Sequence, residues 1–259
     1  MSSPQWPGRH ELGQNFLIDR RVIKAVVALA ETDGGPLVEW GAGDGALTRE
    51  LASSGRPLEA VEIDPRRAAQ LRRRVPPHVC ITEGDILRHA PPAGSTVVSN
   101  VPFHITTAVL RRLLDLPEWN RAILIVQWEV ARKRAGIGGA TLMTAQWWPW
   151  FDFRVHQRIG AVAFSPRPSV DGGLLEVRRR ADPLVWTRGD YQRWVRQVFQ
   201  GRGRGLPQII RSVSQVPASV TDDWCRAEGI TRRCLPRNLT AEQWVALYQI
   251  SRRGRGART

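Results

Sequence analysis

Four short apolar runs, each ending in a turn that carries glycines, an acid or an amide, constrain this chain more than any other feature. Residues 36–40 run into Gly41-Ala42-Gly43-Asp44-Gly45, and residues 58–63 close on Glu62-Ile63-Asp64. Residues 78–82 lead to Glu83-Gly84-Asp85-Ile86, and residues 95–99 deliver Asn100-Val101-Pro102-Phe103. Short continuous apolar runs separated by helical spacing are the pattern of buried parallel strands joined by crossover helices. The helices are legible too. Asp19 caps a stretch over 20–30 with Val22, Ile23, Val26, Val27 and Ala30 on one face; Leu47 and Leu51 point one way after Ala46; Asp64-Pro65 starts a third helix. In an open sheet of this kind ligands bind beyond the carboxyl ends of the strands, so all four turns face one edge.

The residue types at that edge suit a nucleoside without phosphates. The glycines run Gly-x-Gly-x-Gly, and Ala46 stands where a pyrophosphate cradle needs its third glycine, which argues against a nicotinamide-dependent oxidoreductase. Gly41 and Gly43 allow a close backbone approach. Glu62 follows the turn by about twenty residues, the distance at which an acid reaches ribose hydroxyls in such folds. Asp85 offers a carboxylate to an adenine amino group. Taken singly, Glu62 and Asp85 read better as helix caps or solvated loop acids; four features in register favour the nucleoside. Asn100 Oδ1 and the carbonyl of Val101 or Pro102 can accept from an exocyclic amino group while Phe103 stacks on the ring. Gln14 and Asn15, just before the first helix, can cap it or contact the ligand.

At 259 residues the chain has room for one large domain and a small one. Its net charge of +14, carried almost wholly by Arg, favours a polyanionic partner. No apolar run reaches bilayer length and the first residues are unlike a signal peptide, so no membrane is expected. Three cysteines, Cys80, Cys225 and Cys234, lack metal-ligand spacing, which fits a reduced cytoplasm. Further strands are expected over 122–127, 151–159 and 173–179, with a helix over 105–114 between the central motif and the first of them. Arg132-Lys133-Arg134 beside Gly136-Ile137-Gly138-Gly139 is a basic, flexible stretch, and Trp147, Trp148 and Trp150 read as packing rather than a base-stacking platform. After residue 183 the spacing is helical throughout: Tyr191, Trp194, Val195 and Val198, then Ile209, Ile210 and Val213, then Trp244, Leu247 and Tyr248 behind a capping Thr240. The loop Gln200-Gly201-Arg202-Gly203-Arg204-Gly205 offers Arg202 and Arg204 to phosphates. The Arg/Gly tail from 251 to 259 is expected to be disordered.

In these motifs the chain resembles the S-adenosylmethionine-dependent rRNA adenine-N6 methyltransferases over roughly residues 9–250. Within them it looks most like the Erm branch, the large-subunit 23S rRNA methyltransferases of macrolide resistance. Carrying the resemblance are Gln14-Asn15-Phe16-Leu17, the stretch from Glu39 to Thr48, Glu62-Ile63-Asp64, Gly84-Asp85, Asn100-Val101-Pro102-Phe103, Gln127-Trp128-Glu129-Val130-Ala131-Arg132-Lys133, and Phe164-Ser165-Pro166-Arg167-Pro168-Ser169-Val170-Asp171. It implies an α/β fold: a Rossmann-like class I methyltransferase sheet of seven strands over residues 1–183, a small all-helical RNA-recognition domain over 184–250, and the tail. It implies cofactor contacts from Gln14, Asn15, Leu17, Gly41, Gly43, Glu62, Asp85, Ile86 and Asn100, and a catalytic set of Asn100, Pro102, Phe103 and Phe164, the last facing Phe103 across a flipped base. Unaided, a Phe beside two prolines reads as packing. RNA contacts are expected from Arg132, Lys133, Arg134, Arg167, Arg202 and Arg204. No metal is expected. The enzyme is expected to act as a cytoplasmic monomer on an unpaired or flipped adenine of 23S rRNA, protein-free or before assembly.

Three departures from the family pattern stand out: Phe103 where a Tyr is usual, Trp40 in place of a smaller aliphatic residue, and a glycine-rich 201–205 loop. Two alternatives stay open at this point. One is the sister branch that dimethylates adenines of small-subunit 16S rRNA; the other is a non-catalytic RNA-binding factor on the same fold.

Overall fold

The structure, a computed structural model, describes residues 15–256 other than Gln215 and Arg232. In chain order come β1 (Phe16–Leu17), α1 (Arg20–Ala30), β2 (Leu37–Trp40), α2 (Ala46–Leu51), β3 (Leu58–Glu62), α3 (Pro65–Arg72) and β4 (Val79–Glu83). Then follow β5 (Thr96–Asn100), α4 (Thr106–Asp115), β6 (Arg121–Gln127), α5 (Trp128–Arg134), α6 (Leu142–Trp147), β7 (Phe151–Ile159), β8 (Phe164–Ser165) and β9 (Gly172–Arg179). The remaining helices are α7 (Arg188–Gln200), α8 (Leu206–Val213), α9 (Ala218–Ala227) and α10 (Ala241–Gly256).

Seven strands form one sheet in the order β4-β3-β2-β5-β6-β9-β7. The first five are parallel and β9 runs antiparallel to β6. Strand order reverses between β2 and β5, so the crevice at their carboxyl ends is the switch point where such sheets bind ligands. Central strands are apolar along their length because both faces are covered: Ala122, Ile123, Leu124, Ile125 and Val126 of β6 are all 0% exposed. Each fully buried branched side chain there contributes about 1.5–3 kcal/mol.

Local chemistry fixes the helix starts. Asp19 Oδ1 accepts from the N–H of Arg21 (2.7 Å) and of Val22 (3.3 Å), which begins α1, while Val22, Ile23, Val26 and Ala30 turn inward. Asp64 caps α3 through the N–H of Arg66 at 2.8 Å, with Pro65 in the first turn. A separate two-stranded ladder pairs Phe16 with Ser165 and Leu17 with Phe164. Among the described residues no helix is long and apolar enough to cross a membrane.

The chain divides into two compact units. One runs up to Ala131 and adds Arg154–Arg179; the other joins Arg132–Phe153 to the residues from Arg180 onward. This differs from a single break at 183, and packing gives the reason. Trp150 meets Tyr191 edge to face at 5.7 Å, and the Tyr191 hydroxyl donates to the Ala145 carbonyl at 3.1 Å, so 132–153 belongs to the helical core. Burial pushes the Tyr191 hydroxyl far above its usual range. Phe199 stacks on Trp244, itself edge-on to Trp194 at 5.7 Å.

One further expectation changes here, and one departure from the family pattern gains a reason. The segment from 251 is helical as far as Gly256, because α10 continues: Ser251 is 4% exposed and its hydroxyl donates to the Leu247 carbonyl at 2.9 Å. The glycines of the 201–205 loop serve packing. A Cβ on Gly203 would sit 2.9 Å from Gln208 Cβ and from the Ile209 backbone nitrogen, so only glycine fits where the loop turns into α8.

Candidate active site

A cavity of about 460 Å³ opens where β2, β3, β4 and β5 end. Of the residues singled out from sequence, Asn15, Leu17, Gly41, Gly43, Glu62, Asp85, Ile86, Asn100, Pro102 and Phe103 all line it. Gln14 lies outside the described residues. The turn after β2 takes its shape from glycine: Gly41 and Gly43 have φ of 76° and 55°, left-handed values that L side chains rarely adopt. Nothing lies within 4 Å of where a Gly41 Cβ would stand, so the cavity reaches the backbone there. Gly43 is instead covered by Phe16, whose ring would be 3.1 Å from a Cβ. The Arg67 guanidinium sits 4.5 Å from the centre of that ring and pairs with Asp44 at 2.7 Å.

Glu62, 1% exposed, ends β3 with both oxygens fixed by backbone. Oε2 accepts from the Gly43 N–H at 2.7 Å and Oε1 from the Asp64 N–H at 2.9 Å. Each oxygen keeps a lone pair for a further donor. Asp85 Oδ1 accepts from the Leu87 N–H at 2.9 Å, which orders the turn carrying Ile86. At the end of β5, Asn100 Nδ2 donates to the Asn15 carbonyl at 2.8 Å, which leaves Oδ1 as the acceptor end of the amide. Pro102 keeps the next residues out of the strand. Its carbonyl accepts from the Ile105 N–H at 3.1 Å, and the Phe103 carbonyl accepts from Thr106 Oγ1 at 3.0 Å, so Phe103 is held half-buried at the rim with exposed His104 beside it.

Phe164 does not stand across a base from Phe103. It is 2% exposed, held in β8 against β1, and meets Phe103 edge to face with ring centres 6.1 Å apart, too close to admit a base between them. Phe164 braces Phe103 from the core side. Lys133, Arg167, Arg202 and Arg204 are exposed, whereas Arg132 and Arg134 are half-buried: the Arg132 guanidinium lies under Gly138, and Arg134 Nη1 donates to Thr144 Oγ1 at 3.4 Å.

Glu39 lines the cavity and carries a role that sequence reading left unassigned. It is 2% exposed, and burial, reinforced by the nearby Glu62, pushes its carboxyl up to about 8 against the opposing pull of Thr48 and Arg49. Thr48 Oγ1 donates to Glu39 Oε2 at 2.6 Å. Its sequence signal is a lone carboxylate inside an otherwise apolar strand, two residues before the glycine turn.

A doubly wound sheet with a glycine turn after β2, acids after β3 and β4, and an Asn-x-Pro-aromatic turn after β5 defines a Rossmann-like class I methyltransferase. The family pattern of ribosomal RNA adenine dimethylases matches residues 7–252. The chain is 47% identical over 256 residues to the mycinamicin-resistance protein MyrB of Micromonospora griseorubida, covering 97% of this chain and 82% of that protein. It is 46% identical over 208 residues to an rRNA adenine N-6-methyltransferase of Corynebacterium diphtheriae, covering 79% of this chain and 82% of that one. The solved structure of the 23S rRNA methyltransferase ErmE superposes with a TM-score of 0.84 at 31% identity, over 92% of this chain and all of that one. This chain belongs to the ribosomal RNA adenine dimethylase family, and it is an rRNA adenine-N6 methyltransferase that uses S-adenosylmethionine. The cavity fits that cofactor: a backbone cradle at Gly41, a buried carboxylate with lone pairs to spare at Glu62, and a second carboxylate beside apolar Ile86.

Proposed function

We propose that this enzyme methylates N6 of an unpaired adenine in 23S rRNA and thereby confers resistance to macrolide, lincosamide and streptogramin B antibiotics. The observation that carries the chemistry is the Asn100 amide. With Nδ2 committed to the Asn15 carbonyl, Oδ1 is the end that accepts from the adenine amino group. The 23S assignment is supported by the 47% identity to MyrB and the likeness to ErmE over most of both chains.

Adenine N6 is a poor nucleophile because its lone pair is delocalised into the ring. Accepting its hydrogens with Asn100 Oδ1 and the backbone carbonyl of Val101 or Pro102 favours a tetrahedral nitrogen and frees that pair. Phe103 stacks on the ring and holds N6 in place; positioning of this kind contributes about 7–11 kcal/mol. S-adenosylmethionine supplies an electrophilic methyl on a sulfonium. Glu62 is assigned to the ribose hydroxyls, Asp85 to the cofactor's adenine amino group, and Asn15, Leu17, Gly41, Gly43 and Ile86 to its remaining contacts. Once methylated, N6 is acidic and releases its proton to water, so no strong base is required of the site.

A base inside a duplex cannot reach such a cavity, so the target is an unpaired or extruded adenine. Exposed Lys133, Arg167, Arg202 and Arg204 are assigned to phosphates, and the helical unit to RNA recognition. Three cysteines without metal-ligand spacing accord with action in the cytoplasm, and we take the enzyme to be monomeric. The test is incubation with labelled S-adenosylmethionine and protein-free 23S rRNA, followed by mapping of the modified base. The expected result is N6-methyladenine or N6,N6-dimethyladenine at one unpaired position. Transfer only to assembled small-subunit particles would move the assignment to 16S rRNA, and no transfer to any RNA would refute it.

A further inference from the structure

Trp40, the departure before the glycine turn, lies behind the cavity, 0% exposed, and ties together two parts of the site. Its carbonyl accepts from Ser99 Oγ at 2.7 Å, immediately before Asn100. Its indole Nε1–H donates to His89 Nδ1 at 3.0 Å, with the rings edge to face. Because Nδ1 accepts, the imidazole proton resides on Nε2, which faces Glu59 Oε1 at 3.2 Å; Thr82 Oγ1 donates to the same oxygen at 2.7 Å. His89 closes the turn that presents Asp85 and Ile86, since its backbone N–H donates to the Asp85 carbonyl at 3.0 Å. The indole thus links the end of β2 to the turn after β4, and its carbonyl links that same point to β5.

We propose that Trp40, acting through His89, is a positioning residue for the cofactor's adenine: the indole-to-imidazole bond sets where the turn holds Asp85 and Ile86. The inference rests on the assignment of those two residues to the adenine. Neither Trp40 nor His89 lines the cavity, so neither is a catalytic residue. The bulk of Trp40 alone does not make the link. A smaller aliphatic residue fills space at this point but offers His89 no donor, so the bond is particular to a chain that has both rings.

The test is calorimetric titration of S-adenosylmethionine into the wild-type chain, Trp40→Phe, His89→Leu and His89→Asn. Trp40→Phe keeps a buried ring and removes the N–H; His89→Leu removes the acceptor at a half-buried surface position; His89→Asn restores an acceptor where Nδ1 stood. The expected result is about tenfold weaker binding for the first two and recovery to within about threefold for His89→Asn. In turnover, KM for S-adenosylmethionine rises by the same factor while kcat at saturating cofactor and KM for RNA stay unchanged. Unchanged affinity in Trp40→Phe and His89→Leu, accompanied only by a lower Tm, would overturn the inference, as would equal losses in His89→Leu and His89→Asn. Absence of binding by the wild-type chain would instead overturn the cofactor assignment, and this inference with it.

Discussion

Replacing Glu39 by Gln should make the enzyme more stable at neutral pH, although the change touches a fully buried side chain. In the unfolded chain this carboxyl titrates near 4.5, and in the folded protein burial raises it to about 8. Below 4.5 both states are protonated and the group adds no pH dependence. Between those values the folded state binds one more proton than the unfolded state, so stability falls with rising pH by about 1.4 kcal/mol per unit, and the contribution is lost as pH passes the folded value. From pH 5 to pH 7.5 that amounts to about 3 kcal/mol for this one side chain. Gln keeps the shape and a carbonyl that accepts from Thr48 Oγ1, and it never ionises. Urea denaturation of the apoprotein followed by tryptophan fluorescence, with wild type and Glu39→Gln compared at several values between pH 5 and 7.5, isolates the term because every other titration is shared. The stability difference should move towards the variant by about 1.4 kcal/mol per pH unit. A difference independent of pH would mean that Glu39 is ionised in the folded protein throughout, and the reasoning would fail.

Other outcomes follow from the same geometry. Asn100→Ala should lower methyl transfer about 100- to 1,000-fold, while the Kd for S-adenosylmethionine, measured by calorimetry, stays within about threefold, because the lost acceptor acts in the transition state. Phe103→Tyr should retain activity, whereas Phe103→Ala should lose about 1–3 kcal/mol of base stacking, read as a drop of about 5- to 150-fold in kcat/KM for RNA. Replacing Arg202 and Arg204 together by Ala should flatten the slope of log binding constant against log salt by about 1.4, if each meets one phosphate of single-stranded RNA. Gly203→Ala should destabilise the helical unit by about 1–3 kcal/mol in thermal or urea melts, since its methyl would meet the Ile209 backbone.

The sheet and its loops were legible because their determinants are local. The expected strand over 36–40 is Leu37–Trp40, and the helix from 20 to 30 has both ends as read, because Asp19 supplies the cap and Val22, Ile23 and Val26 the buried face. Glu62, Asp85 and Asn100 meet at one cavity since parallel strands send their carboxyl ends to one edge. What escaped depends on contacts between distant segments. Phe164 is buried because β8 pairs with β1, a two-residue ladder with no pattern of its own. Residues 132–153 join the helical unit through Ala145, Trp150 and Tyr191, a packing choice that spacing does not encode. The Arg/Gly composition from 251 suggests disorder, whereas α10 continues as far as Gly256, with Ser251 buried against the helical core. Glu39 reads as any strand acid until its neighbours remove water from it.

The proposed methyl transfer requires one sheet edge to present a donor sulfonium to an extruded adenine. A crystal structure with S-adenosylmethionine or its demethylated product bound is the most direct measurement. The expected result is ribose hydroxyls on Glu62, adenine beside Asp85 and Ile86, and the sulfur facing the turn from Asn100 to Phe103. Cofactor bound away from the Gly41 turn, or bound there with its sulfur directed away from Asn100, would contradict it.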